Sequence, residues 1–230
     1  GDVQWMTAGK GILHSEMFPL LQRDKDNPFE IFQIWLNLPK ASKFVEPHFK
    51  MLWRESIPEY REQGVQIKIV AGQLNGLKAP APTPDSWAAD PANEVAVWTI
   101  ELEAGTQWTL PKASAGLNRT LYFYKGDTLQ IEDQILPPNQ SAQVESDADI
   151  VLQAGDQPAF MLLLQGRPIN EPVVQYGPFV MNSQVEIQQA FEDYRRTQFG
   201  GWPWPEEEQT HNREKGRFAL HADGREEIMD

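Results

Sequence analysis

The chain has 230 residues, no cysteine and a formal net charge of −13. Disulfide scaffolds, thiolate metal sites and cysteine nucleophiles are excluded, and the acidic balance argues against direct binding to nucleic-acid backbones or to an anionic membrane surface. The longest apolar run, Ala159 to Leu164, is too short to span a bilayer and no signal peptide is visible, so a soluble cytoplasmic protein is expected.

In chain order, Gly9 and Gly11 suit a tight turn that leads into His14-x-Glu16. On a strand, residues i and i+2 share a face. The imidazole and the carboxylate can then enter one space, a donor pair that suits a first-row transition metal. By spacing alone, a surface pair is the commoner outcome of such a motif. Phe18 to Asn27 reads as an exposed loop. Phe29 to Leu38 alternates: Phe29, Ile31, Gln33, Trp35 and Asn37 form one face, and Phe32, Ile34, Leu36 and Leu38 the other. Two partly apolar faces predict a strand inside a sandwich or barrel. Gln33 is the polar exception, read from the pattern as a hydrogen-bonded glutamine. Pro39 closes this strand, and a connecting segment with a solvated or capping His48 follows. Gly64 to Ala71 reads as a half-buried strand, and Gly72 to Pro84 as an irregular loop.

From Glu94 onward, strands are expected at 95–102, 107–110, 119–124, 128–131, 150–153 and 158–165. They are separated by Gly-Asp and Pro turns at spacings near those of a jelly roll. No histidine occurs between Phe49 and Thr210, so this part cannot build an imidazole-based metal site. Ser183 and Glu186 form a capping box, followed by Ile187, Ala190, Phe191 and Tyr194 at helical spacing. That helix is expected to stop at Gly200 or Gly201. Beyond Trp202-Pro203-Trp204-Pro205, the Glu206-Glu207-Glu208 run and the polar tail read as a solvated extension, with His211 and His221 not expected to act as ligands.

The opening stretch GDVQWMTAGKGILHSE (1–16) resembles the second metal-binding motif of the pirin family, iron-binding proteins of the cupin superfamily. Gln33 to Pro39 (QIWLNLP), Gly166 to Pro172 (GRPINEP), Tyr176 to Asn182 (YGPFVMN) and Phe199 to Trp204 (FGGWPW) are similar to that family in the same order. The resemblance implies an all-β bicupin, two jelly-roll β-barrels with a C-terminal helix. Residues 1–84 would be the remainder of an N-terminal cupin domain plus linker, 85–182 a C-terminal cupin domain, and 183–230 the helix and tail.

The family's pattern also has a His-x-His pair about forty residues upstream of this motif. No His-x-His occurs in this chain, which therefore reads as lacking much of the first cupin domain. Only His14 and Glu16 carry over as metal ligands, for Fe(II) or another divalent transition metal. The resemblance implies quercetin 2,3-dioxygenase-type activity on a flavonol-like aromatic substrate with dioxygen, with Glu16 as catalytic proton acceptor and Gln33 near the metal or facing substrate. An alternative is a non-catalytic, iron-dependent regulator that binds a transcription factor or enzyme. A third reading is that this chain, lacking two ligands, binds no metal.

Overall fold

The computed structural model describes residues 1–207 and 209–229. Glu208 of the acidic run and Asp230 lie outside the described residues. The strands are β1 (Val3–Thr7), β2 (His48–Leu52), β3 (Glu59–Glu62), β4 (Val65–Ala71), β5 (Gln73–Leu74), β6 (Leu77–Lys78), β7 (Ala96–Leu102), β8 (Gln107–Leu110) and β9 (Asn118–Lys125). They continue with β10 (Leu129–Ile131), β11 (Gln134–Leu136), β12 (Gln140–Gln143), β13 (Ile150–Ala154), β14 (Ala159–Gly166), β15 (Val174–Tyr176) and β16 (Phe179–Met181). Helix α1 (Gln184–Thr197) and the strands β17 (Arg217–Leu220) and β18 (Glu226–Met229) complete the order. The chain is mostly β with one C-terminal helix, as expected. No helix among the described residues is long and apolar enough to cross a membrane.

Two compact units form. The first holds Gly1–Trp5 and Leu52–Asn170. Its six-stranded sheet runs β12-β9-β14-β7-β4-β3, and a four-stranded sheet runs β11-β10-β13-β8. Every pairing in them is antiparallel. The alternation seen in sequence accounts for this layering. Val65, Ile67, Ile69 and Ala71 on β4, Ala96, Trp98, Ile100 and Leu102 on β7, and Leu121 and Phe123 on β9 are all buried. A period of two sends them to one face, where all but Ala71 join Leu110, Leu129 and Leu152 of the other sheet in one core. A register shift between Ile69 and Ala71 bends β4, and there the indole of Trp98 donates to the Ala71 carbonyl at 3.0 Å. This is the jelly-roll sandwich of a cupin.

The second unit holds Met6–Met51 and Glu171–Asp230. Its hairpin β15–β16 carries Phe179, whose ring lies 4.8 Å from Phe191 and 6.0 Å from Phe199. Helix α1 thus docks through the aromatic stripe read from its spacing. Ser183 caps it, its hydroxyl accepting from the Glu186 N–H at 3.3 Å. The helix ends with Gln198 in the left-handed region (φ +50°), ahead of the glycines expected to stop it.

Two expectations are corrected. Residues 29–38 form no strand. Phe29, Ile31, Phe32, Ile34, Trp35 and Leu36 are exposed instead. Alternation supplies the side-chain pattern of a strand, but the backbone still needs a neighbour for its N–H and C=O groups. No strand among the described residues pairs with this segment. The tail is also more than a solvated extension, because β17 and β18 pair as a hairpin. Within it His221 lies 2.9 Å from Glu227 and 3.1 Å from Arg225.

Candidate functional site

The turn before His14 is built by the residue types that the sequence offers. Gly11 N–H donates to Ala8 O at 2.9 Å, and Lys10 N–H donates to Val45 O at 2.9 Å. Gly9 sits at φ +51°, where a Cβ would stand 2.2 Å from the Val45 carbonyl oxygen. Only glycine meets both demands. The segment after the turn is irregular rather than a strand.

His14 Nδ1 nevertheless lies 3.6 Å from Glu16 Oε1, with both side chains about one-third exposed (35% and 33%). Two donors on one first-row ion, each bound at about 2.1 Å, lie roughly 3.0–3.4 Å apart. A small side-chain rotation would bring this pair to that spacing. In donor type and distance it fits part of a coordination sphere. It is not a complete cage, since no group of three or more His, Cys, Asp or Glu side chains suited to a metal occurs among the described residues. Gln33 is exposed and makes no hydrogen bond to either residue among the described contacts.

The resemblance motifs reveal a second cluster that residue-by-residue reading missed. Asn37 of the QIWLNLP string accepts from Lys43 Nζ at 2.8 Å, and the same ammonium donates to Val180 O of YGPFVMN at 3.1 Å. Glu171 of GRPINEP accepts from Lys40 N–H at 2.7 Å and from Asn182 Nδ2 at 3.0 Å. Lys43 is only 6% exposed. Burial pushes its pKa below the ordinary 10.5, while the charges of Glu171 and Glu186 oppose that shift. The Glu186 carboxyl is held below the usual range by Lys40, the Ser183 hydroxyl and the Asn182 N–H. These motif residues bind one another around the start of α1, and none of them is a neighbour of His14 in a described contact. A buried lysine 6 residues after an Asn carries no recognisable spacing signal.

Among the other histidines, His48 lies on β2, and His211 packs edge-on against Phe218 at 4.5 Å. Burial and the Lys215 charge lower the His211 pKa.

A double-sheet jelly roll with one C-terminal helix, preceded by a His-x-Glu pair, defines a protein of the cupin class. The family model for pirin matches residues 1–36, and that for the pirin C-terminal cupin domain matches residues 97–200. A pirin-like protein of Arabidopsis thaliana is 36% identical over 207 residues, which cover 85% of this chain and 68% of that one. Pirin-1 of the same plant is 34% identical over 221 residues, covering 87% and 66%. This chain belongs to the pirin family. Among solved structures, quercetin 2,3-dioxygenase from Acinetobacter baumannii superposes with a TM-score of 0.68 at 27% identity, covering 87% of this chain and 67% of that one. The chain thus spans about two thirds of the length of these relatives.

Proposed function

We propose that His14 and Glu16 supply part of the ligand set of a divalent transition metal, with Fe(II) the first candidate. The protein would then act as a ring-cleaving dioxygenase of the quercetin 2,3-dioxygenase type. The observation that carries this reading is the 3.6 Å approach of an imidazole nitrogen and a carboxylate oxygen, inside the segment matched by the pirin model. A relative of known structure bearing the name of that enzyme supports the substrate class. When bound, the metal supplies Lewis acidity and redox chemistry.

This chain's own residues have simpler tasks. His14 binds through one ring nitrogen. Glu16 is placed as the group that accepts the proton of an incoming phenol. The Gln33 amide can donate to a flavonol oxygen. Titration with Co(II), followed by its absorption bands, tests the ligands. His14→Ala should weaken the metal at least ~10-fold, and equal affinity in both proteins would remove His14 from the ligand set. Oxygen consumption by the iron-loaded chain with quercetin tests the reaction, which is refuted if uptake matches that of the metal-free control.

A second reading is a metal-dependent regulator that binds a protein partner. The exposed apolar residues between Phe18 and Leu36 favour it, as does an acidic balance better suited to protein than to nucleic acid. Amide exchange across 18–36 that responds to metal, in a protein without quercetin turnover, would favour this role.

A further inference from the structure

We propose that residues 29–38 are the pairing strand of a homodimer, covered by the same segment of a second copy of the chain. Phe29, Ile31, Ile34, Trp35 and Leu36 are 38–58% exposed. The ring of Phe18 lies 4.1 Å from that of Phe29, and Phe18, Leu20 and Leu21 are exposed as well. No strand among the described residues pairs with this stretch. Its side chains already follow the period of a strand, so what it lacks is a neighbour's backbone.

The surface is large enough for a dimer. A large apolar side chain offers roughly 200 Å², and about half of that is uncovered at each of these positions. This amounts to ~800 Å² per copy and ~1,600 Å² for two, where specific interfaces begin near ~1,200 Å². A monomer rarely leaves an apolar patch of that extent in water.

Charge and symmetry select the occupant. A chain of net charge −13 repels its own copies unless the contact is nearly free of carboxylates. Between Pro28 and Pro39 the only ionisable side chain is Glu30. A two-fold axis at Ile34 makes the two strands antiparallel and the contact isologous. Ile34 then stands opposite its own counterpart, Phe32 opposite Leu36, and Glu30 opposite Leu38. An apolar face is thereby matched to itself, and no carboxylate meets another. Such cross-strand apolar pairs are what stabilises a sheet. This contact is independent of His14 and Glu16, and neither metal nor dioxygen enters into it.

Sedimentation of the full chain at roughly 1 to 100 μM tests the assembly. A monomer–dimer equilibrium is expected, weakened at least ~10-fold in Ile34→Lys. A second variant decides the question even if that one folds poorly. The chain has no cysteine, so the thiol of Ile34→Cys can form a disulfide only with its counterpart in another copy. On the two-fold axis the pair lies within disulfide reach. Oxidised glutathione, reduced to two thiols in the exchange, should therefore give a covalent dimer. Ile135→Cys, on β11 and 70% exposed, is the control expected to stay single. Equal cross-linking through both cysteines, or a dimer that a folded Ile34→Lys leaves intact, overturns the proposal. A chain that stays monomeric throughout overturns it too, and leaves the segment to a different protein.

Discussion

Replacing Gly9 by alanine should cost more than the backbone angle alone accounts for. Left-handed φ at a non-glycine residue costs roughly 1–2 kcal/mol, and Gly9 sits at φ +51°. The new Cβ would also stand 2.2 Å from Val45 O. Relieving that contact means moving the turn by about 1 Å, enough to break the Lys10 N–H to Val45 O bond, worth ~1 kcal/mol. The total comes to about 2–3 kcal/mol. Gly224→Ala is the control: it lies in the same unit, at φ +85°, with nothing within 4 Å of its Cβ, so only the backbone component applies. Urea denaturation of both variants gives the difference. The same displacement moves the approach to His14, so Gly9→Ala should bind Co(II) more weakly while Gly224→Ala binds normally. Equal losses of stability in the two variants would refute the close-contact argument.

Leu121→Ala should destabilise by about 3–4 kcal/mol, because this residue is fully buried between Leu163 and Ala142; urea unfolding measures it, and a loss under ~1 kcal/mol would contradict the assigned core. Ser183→Ala should remove about 1 kcal/mol through the lost cap, read from the same unfolding curves and from helical ellipticity. For Lys43 the pH dependence has a definite sign. Its folded pKa lies below 10.5, so the unfolded chain holds the proton to higher pH and stability rises as pH climbs toward 10.5. Wild type should therefore gain on Lys43→Met over that alkaline range, and a flat or falling difference would show that burial does not depress this group.

Several of these elements were legible from residues alone. On β4 and β7, apolar side chains recur every second position over seven residues, and a sheet with one buried face demands that period. For α1 the capping box and the aromatic stripe agreed, and a helix closes its own hydrogen bonds, so local sequence suffices to place it. The segment 29–38 carries an equally clear alternation and forms no strand, because strand pairing is decided by a neighbour that the segment does not itself encode. The hairpin β17–β18 was missed for the converse reason: its strands are four residues each, Arg-Phe-Ala-Leu and Glu-Glu-Ile-Met, with no alternation, and its register with a partner strand makes it a strand.

By itself, the sequence determined the family, the jelly-roll core and the docking helix, since each rests on patterns that are local, repeated along the chain for the first two and confined to one stretch for the helix. It also named His14 and Glu16. Tertiary structure decided that their side chains approach within 3.6 Å without a strand to align them. It likewise drew Asn37, Lys43, Glu171 and Asn182 together across the chain, and set the buried Arg119 against Gln165. Contacts between residues more than a hundred positions apart depend on how the sheets and loops close in space, and no local periodicity carries that information.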